Sequence, residues 1–341
     1  MPADDTAPLF SERKGFGRRV INVLNGNPTI IPMLVLIVGV IAFSLIVGER
    51  FLHPFNLSLV LQQVTVIGVL ALAQTLIILT AGIDLSVGAI MVLSSIAMGH
   101  LSIQFGVPPA LSLLIGIVTG GICGALNGIF ITLLRLPPFI VTLGTWSIFN
   151  SVLQFWSGGQ TIRQQEIAAD AAVLQWTGTA FRAGAAQLTL GSLLMLGLAL
   201  LLWYILNRTA YGRHIYAVGN DPTAARLSGI NTRKVLFSVY VLAGLICGIA
   251  GWILIGRIGA VSPLGGATAN LDSITAVVIG GTSLFGGRGS IAGTLMGALI
   301  VGLFRNGLAL AGLDVLWQEF AIGILIIIAV GFDQWLRRIS V

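Results

Sequence analysis

Charged side chains are scarce in this sequence, because Asp, Glu, Lys and Arg together make up only 9% of its 341 residues. A soluble domain carries about 25% charged residues, so a water-exposed surface cannot be built from so few. Apolar residues, in contrast, reach 56%. The composition therefore excludes an ordinary soluble protein and indicates a chain whose solvent is the hydrocarbon of a bilayer.

Residues that carry chemistry are also few. The two cysteines, Cys123 and Cys247, each lie within an apolar run, and the three histidines are far apart along the chain. No C-x-x-C pair, Cys/His cluster or Ser/His/Asp arrangement suggests a metal or catalytic site. A G-x-x-x-x-G-K-[ST] loop is missing too, so the chain does not encode an ATPase. We therefore expect no catalytic residue, no metal site and no cofactor bound by this chain.

Long apolar runs dominate what is present, and a full membrane span needs about 20 such residues. The runs at 85–103 and 271–284 are short or broken. A helix break at membrane depth survives only where protein or a water-filled cavity covers the backbone. We predict an all-α, polytopic helical bundle of about ten transmembrane helices, or eight or nine if a short run is re-entrant. The ten runs are 29–48, 57–81, 85–103, 110–134, 138–156, 188–206, 235–256, 271–284, 290–311 and 318–335.

The basic residues report the orientation of these spans. With ten spans and a cytoplasmic N-terminus, 13 of the 18 Lys and Arg residues fall in cytoplasmic segments, as the positive-inside rule requires. The net charge of +6 therefore reflects topology and does not indicate nucleic-acid binding. We expect both termini in the cytoplasm. The basic residues assigned to the outer side are Arg50, Arg163, Arg182, Arg257 and Arg305.

The domain organisation follows from the same pattern. Residues 1–28 form a basic cytoplasmic tail, and residues 29–341 form a single transmembrane domain. The first apolar run is too long for the core of a signal peptide, so we expect it to be retained as a helix. Two loops exceed the length of a hairpin, namely the outer loop 157–187 and the cytoplasmic loop 207–234.

The cytoplasmic loop contains the signals of a short surface helix. Residues 219–222 read Gly-Asn-Asp-Pro, a turn in which Pro222 opens the first helical turn. Residues 223–228 continue the helix, and Gly229 ends it. Small side chains on such a helix suit docking in the cleft of another protein, although a plain solvated connector has the same local sequence.

Two glycine-containing breaks lie between spans. In the first, at 82–88, Gly82 permits a sharp turn, and Asp84 or Ser86 can cap the next helix. Asp84 is therefore either a structural cap or a residue of a transport path, because ionisable groups near membrane-embedded breaks are often functional. The second break, at 282–290, is richer in glycine. Glycines also recur every fourth residue beside it and in the run at 110–134, which predicts close helix packing.

Side chains within the spans give weaker signals. Polar ones form either hydrogen bonds between helices or the wall of a path. Trp146, Phe149 and Trp156 are expected to face lipid or the outer interface. Arg305 is expected near the outer end of its span, reaching the headgroups and not buried. The polar set is Gln62, Gln74, Asn127, Thr145, Asn150, Asn270, Asp272, Thr275, Asn306 and Glu319.

Three segments together resemble the permease subunits of ribose/xylose/arabinose-type ABC sugar importers. Those proteins carry a G-x-x-x-x-A-x-G-x-N-x-x-A-A-x-x-x-G-I pattern in their cytoplasmic loop. They also show G-G-I-D-L-S-V-G at the first break, where this chain has Ala81 in place of the first glycine. The second break, at 279–290, is similar as well. The loop residues that match are Gly212, Ala217, Gly219, Ala224, Ala225, Gly229 and Ile230, and Asn220 stands one position before the asparagine of the pattern.

The resemblance implies a function for each part. The chain would be the multi-pass inner-membrane permease of an importer that carries a monosaccharide or related polyol. A separate ATP-binding subunit would supply ATP and Mg²⁺, a periplasmic sugar-binding protein would dock outside, and a second permease copy or a paralogue would complete the path. The residues expected to couple to the ATPase are Gly212, Asn220, Ala224, Ala225, Arg226, Gly229 and Ile230. Those expected along the path are Gln74, Asp84, Ser86, Asn127, Asn270, Asp272, Thr282, Ser283 and Asn306.

One rival class stays open at this point. A secondary transporter driven by protons or sodium would need an intramembrane carboxylate, and Asp84, Asp272 and Glu319 are the candidates. The sugar itself is not encoded in a recognisable motif.

Overall fold

The apolar runs of the sequence become the long helices of the structure. A computed structural model describes residues 30–266 and 268–340, so the predicted tail at 1–28 lies outside the described residues. Proline occupies the first turn of α3, α5, α6 and α10, where its missing N–H costs no hydrogen bond. The helices are α1 (Ile30–Val47), α2 (Glu49–Leu52), α3 (Pro54–Leu79), α4 (Val87–Ile103), α5 (Pro109–Thr132), α6 (Pro138–Ser157), α7 (Gln164–Asp170), α8 (Leu190–Arg208), α9 (Ala210–Asn220), α10 (Pro222–Leu227), α11 (Thr232–Ile258), α12 (Ala269–Ile279), α13 (Ile291–Leu310) and α14 (Val315–Ser340).

The prediction of a polytopic helical membrane protein is confirmed. Each of the ten predicted runs coincides with a helix, and six described helices are long and apolar enough to cross a bilayer. Both predicted breaks are present, since α3 ends at Leu79 before α4 begins at Val87, and α12 ends at Ile279 before α13 begins at Ile291.

The centre of the bundle is α3, which is buried along most of its length. The predicted glycine stripes are packing surfaces. On α5, Gly120 and Gly124 lie against the backbone of α11, where added Cβ atoms would overlap carbonyl oxygens. On α13, Gly293 and Gly297 lie equally close to the backbone of α12. Because these glycines have no side chain, the two helices of each pair approach each other closely.

The stretch before α12 returns into the bundle, which the sequence did not indicate. A Cβ on Gly99 would lie 2.7 Å from Val261, and a Cβ on Gly266 would lie 2.7 Å from Val92. The stretch from 261 to 266 therefore runs alongside α4 toward its N-terminus. Consequently α12 starts deep inside the protein. Its 11 residues span about 16 Å, roughly half of the hydrocarbon thickness.

The outer loop forms a small folded cap. It contains α7, a 3₁₀-helix at Ala172–Gly178 and an antiparallel hairpin of β1 (Ala180–Ala183) and β2 (Ala186–Thr189). A backbone bridge joins Ile162 to Val261, and the Gln175 side-chain amide donates to the Gly259 carbonyl at 2.8 Å. The cap is thus fixed to the rim where α11 ends. We call this the outer rim, and the opposite rim, with the loop 207–234 and both breaks, the inner rim.

The prediction that Arg305 reaches headgroups and is not buried is wrong. Its guanidinium donates at 2.8 Å to the carboxylates of Asp272 on α12 and Glu319 on α14. The Arg305 side chain is only 21% exposed and that of Asp272 only 6%. The cost of removing these charges from water is offset because each finds an opposite charge on a neighbouring helix.

Replacing Arg305 with methionine should destabilise the protein strongly. The Asp272 carboxylate would stay buried without its partner, which typically costs about 3–5 kcal/mol. The thermal unfolding midpoint of the detergent-purified protein measures this. Arg182→Met is the matched control, because Arg182 is exposed on the outer loop. Equal midpoints for the two variants would contradict a structural role for the ion pairs.

The prediction that Phe149 faces lipid or the outer interface is also wrong. Phe149 is 4% exposed and lies with Val141, Thr145 and Leu153 on the buried side of α6. Trp146, in contrast, is 41% exposed. A sequence cannot distinguish these positions by hydrophobicity, since lipid and protein core are equally apolar.

Candidate coupling site

The cytoplasmic loop 207–234 folds into two helices. The predicted short helix is present as α10, and α9 precedes it. Asp221 separates the two, and its Oδ1 accepts hydrogen bonds from the backbone N–H groups of Thr223 at 2.8 Å and Ala224 at 3.0 Å. These bonds cap α10. At the other end Gly229 adopts a left-handed φ of 86°, and the Ile230 N–H donates to the Ala225 carbonyl at 3.0 Å.

The side chains of α10 divide into a buried and an exposed face. Ala225 is 5% exposed and belongs to the main hydrophobic core, so it fastens α10 to the bundle and cannot itself contact a partner. The sequence predicted that Ala224 and Ala225 both couple to the ATPase, but in the structure Ala224 is exposed and Ala225 is buried. Thr223, Ala224, Arg226 and Leu227 point outward. We call these four residues the docking face.

Leu227 is the prominent member of the docking face, and sequence reasoning missed it. Its side chain is 80% exposed on the inner rim. A single exposed leucine is ordinary. Leu227, however, stands beside small side chains on a capped helix, where an apolar pocket of a partner has access to it. The sequence feature that identifies Leu227 is its position two residues after Ala225, which places it on the opposite side of the predicted helix.

The end of α9 touches both breaks. The Gly287 N–H of the second break donates to the Leu79 carbonyl, the last residue of α3, at 3.0 Å. Gly219 lies against both, because an added Cβ would overlap the Leu79 oxygen and lie 2.7 Å from the Gly287 nitrogen. We call this contact among the end of α9, the first break and the second break the three-segment junction. Only glycine fits at 219, since the neighbouring atoms are backbone and cannot move aside.

Further contacts extend the three-segment junction. A Cβ on Gly286 would lie 2.7 Å from the Gly219 oxygen and 2.8 Å from the Ala81 nitrogen. Asn220 packs against Gly287, whose Cβ would lie 2.9 Å from the Asn220 Cα. The Tyr216 hydroxyl donates to the Gly289 carbonyl at 3.0 Å. Asp221 and α10 follow Asn220 directly, so only one residue separates α10 from the contacts with both breaks.

The remaining predicted coupling residues support this arrangement. Gly212 is buried beneath the carbonyls of Ile205 and Leu206, where a Cβ would overlap, and this sharp approach sets the angle between α8 and α9. The Thr209 hydroxyl accepts from the Gly212 N–H at 3.2 Å and caps α9. Ile230 is half-buried and follows the end of α10.

The first break is held by a buried polar cluster. Asp84 is 2% exposed, and its Oδ1 accepts hydrogen bonds from the Ser86 N–H and hydroxyl, both at 2.6 Å. The Asn127 amide of α5 donates to the Ser86 Oγ at 2.9 Å. These bonds match the structural alternative for Asp84, that of organising the start of α4. The Thr142 hydroxyl of α6 also binds the break, since it donates to the Ile83 carbonyl at 3.1 Å and accepts from the Leu85 N–H at 3.2 Å.

The other predicted path residues lie at several depths. Asn270, in the first turn of α12, accepts a 2.6 Å hydrogen bond from the Gly88 N–H, so the starts of two shortened helices meet inside the bundle. Asn306 pairs with Asn56 toward the outer rim, and Asp272 binds Arg305. Thr282 and Ser283 lie in the second break, and Gln74 is fully buried in α3. The structure thus brings Asp84, Ser86 and Asn127 together and leaves the rest dispersed.

The amino-acid sequence of this chain is similar to those of known transport permeases over nearly its whole length. A family described as branched-chain amino acid transport system permease components matches residues 56–330. The chain is 53% identical over 336 residues to the fructose import permease protein FrcC of Rhizobium meliloti, covering 98% of this chain and 93% of that protein. It is 39% identical to the ribose import permease protein RbsC of Bacillus subtilis strain 168, over 89% of this chain and 92% of that protein. It is 33% identical to the xylose transport system permease protein XylH of Escherichia coli K12, over 90% and 93%. No solved structure matches the chain.

Proposed function

This chain belongs to the permease family of ABC-type import systems, and on that premise we propose that it is the membrane subunit of a monosaccharide importer. It is a multi-pass inner-membrane protein with the six strongly apolar helices that such a location requires. The observation that carries the proposal is the docking face, which stands next to the contact between the two breaks of the bundle.

A separate ATP-binding subunit is the proposed partner at the inner rim. The outward side chains of α10 are small at Thr223 and Ala224 and apolar at Leu227. Together they suit a cleft that admits a close backbone approach and holds one hydrophobic anchor. ATP and Mg²⁺ belong to that partner, and this chain contributes only the surface that the partner moves.

The three-segment junction supplies the mechanism of coupling. When the ATPase subunits close on ATP, they displace α10, and the rigid contact at Gly219 transmits the displacement to both breaks. The first break is bonded to α5 through Asn127 and to α6 through Thr142. The second break precedes α13 directly. One small motion at the inner rim is therefore distributed to three spans, which suits rigid-body rocking between inward and outward access.

The outer loop is the proposed docking surface of a periplasmic sugar-binding protein. Arg163, Glu166, Asp170 and Arg182 are all exposed there, on a cap that is fixed to the bundle. Exposed charges of both signs orient a partner and raise its association rate. Two copies of the permease, with the sugar path between them, complete the proposed importer.

Fructose is the first candidate cargo, because the most extensive of the similarities described above is to a fructose import permease. Cells that carry the complete importer should accumulate labelled fructose, and deletion of this permease alone should abolish that uptake. The extent to which unlabelled ribose and xylose reduce the uptake of labelled fructose ranks the three sugars as cargo. Stronger competition by ribose would overturn the choice of fructose, and absence of any permease-dependent monosaccharide uptake would overturn the proposed function.

A further inference from the structure

A small cavity lies beneath the outer cap, where the cap meets three spans. Its volume is about 40 Å³, and its wall is formed by α3, the 3₁₀-helix of the cap, the first turn of α8 and the end of α11. One water molecule needs about 10–15 Å³, whereas sites for small organic molecules commonly have about 300–1,000 Å³. The cavity therefore has room for a single small ion or a few water molecules, and it is too small for a sugar.

Arg257, at the end of α11, brings a positive charge to this cavity. Its guanidinium forms no hydrogen bond or ion pair with any residue that the structure describes. Arg305 acts on Arg257 as a second, repelling cation, and the carboxylates of Asp272 and Glu319 pair with Arg305. The described residues that line the cavity include no Asp or Glu. Arg257 therefore has no counter-ion within the described part of the chain, although the protein partly shields it from water.

Two further groups at the cavity can donate to an anion. Gln62 of α3 is half-buried, and its amide forms no hydrogen bond with another described residue. Gly191 belongs to the first turn of α8, where the N–H groups have no acceptor inside the helix. The N-terminus of a helix carries a partial positive charge that favours anions. The Thr65 and Thr177 hydroxyls donate to backbone carbonyls instead, so they shape the wall without adding a donor.

The cavity lies at a tight contact between the cap and α11. A Cβ on Gly178 would overlap the Gly256 carbonyl, and a Cβ on Gly256 would overlap the Thr177 hydroxyl. The Thr177 hydroxyl also donates to the Trp252 carbonyl at 3.1 Å. Part of the Arg257 side chain stays exposed beside this contact, so an ion can enter from the outer surface.

We propose that this cavity binds one small inorganic anion of the size of chloride. The Arg257 guanidinium supplies the balancing charge, and the Gln62 amide and the first turn of α8 supply further donors. A water molecule would fill the same space but would leave the charge of Arg257 unbalanced. A bound anion contacts the cap, α3, α8 and α11 together, so it stabilises the outer rim in this arrangement. The inference concerns the outer rim alone and does not depend on the proposed function.

Thermal unfolding of the detergent-purified permease tests this inference without any sugar or partner. Sodium chloride is compared with sodium gluconate at equal concentration, because gluconate is too large for the cavity and the ionic strength stays the same. The unfolding midpoint in chloride should rise with concentration and then level off. We expect a rise of about 2–4 °C at roughly ten times the dissociation constant. Sodium bromide should act like sodium chloride.

Two variants show whether the effect arises in this cavity. Arg257→Met removes the charge at a similar side-chain length. Gln62→Glu keeps the shape of the side chain but places a carboxylate in the cavity, where it repels an anion. Both variants should lose the difference between chloride and gluconate. Arg182→Met is the matched control, because Arg182 is exposed on the outer loop, and it should keep the difference.

Each outcome decides the matter. Equal midpoints of the wild-type protein in chloride and gluconate would overturn the inference, because the cavity would then hold water only. A chloride effect that persists in Arg257→Met or in Gln62→Glu would overturn it as well, since the ion would then bind elsewhere. Should Arg257→Met fail to fold, the comparison of Gln62→Glu with the wild type decides alone.

Discussion

Replacing Gly219 with valine should abolish uptake while the protein still inserts in the membrane. The new side chain would overlap the Leu79 carbonyl and crowd the Gly287 nitrogen, and neither backbone atom can yield as a flexible side chain would. Overpacking of this kind typically costs about 1–3 kcal/mol, here placed where α9 meets both breaks. Uptake of labelled sugar and the amount of permease in the membrane measure the two effects separately.

The control for this experiment is another helical glycine. Gly197 of α8 has open space around it, so Gly197→Val should transport normally. Tyr216→Phe is a milder change at the same place, because it removes only the hydroxyl that donates to Gly289. We expect it to fold fully and to lower uptake in part. Normal uptake by both Gly219→Val and Tyr216→Phe would show that the three-segment junction does not couple α10 to the breaks.

Replacing Leu227 with aspartate should release the ATP-binding subunit without harming the permease. The Leu227 side chain is 80% exposed, so the fold does not depend on it. Burying a carboxylate in an apolar pocket of a partner leaves a charge without compensation. Loss of a central anchor costs about 2 kcal/mol or more, which corresponds to a roughly 30-fold weaker complex. Co-purification of the ATP-binding subunit with tagged permease measures this, together with uptake.

An exposed apolar residue of the outer cap provides the control for Leu227→Asp. Phe181 of β1 is 54% exposed and lies on the outer rim, away from the docking face. Phe181→Asp should leave co-purification of the ATP-binding subunit unchanged. If Leu227→Asp also retains the subunit at wild-type yield, α10 is not the docking helix.

The sequence alone predicted a polytopic helical bundle and where its helices lie along the chain, because apolar runs of membrane length have few other structures available to them. It also predicted α10, since Asp221, Pro222 and Gly229 carry local capping and turn chemistry that needs no tertiary contact. The two breaks were evident for the same reason. Each of these features is encoded within about ten neighbouring residues.

Features that depend on distant residues could not be predicted. The contact of Gly219 with Leu79 and Gly287 joins three separate parts of the chain, and nothing local at Gly219 shows which backbone it approaches. Arg305 finds its carboxylates on two other helices, so its burial follows from packing. The prediction for Phe149 was wrong because lipid and protein core are equally apolar, so hydrophobicity alone does not show which of the two a phenylalanine faces.

Transport by the purified protein in sealed vesicles tests the central claim, that α10 is moved by a nucleotide-driven partner, most directly. Vesicles with the permease alone should show no sugar uptake under an imposed proton or sodium gradient. Addition of the ATP-binding subunit, the sugar-binding protein and ATP should start uptake, and the Leu227→Asp permease should fail to respond. Sugar accumulation by the permease alone, driven by an ion gradient without nucleotide, would contradict the account.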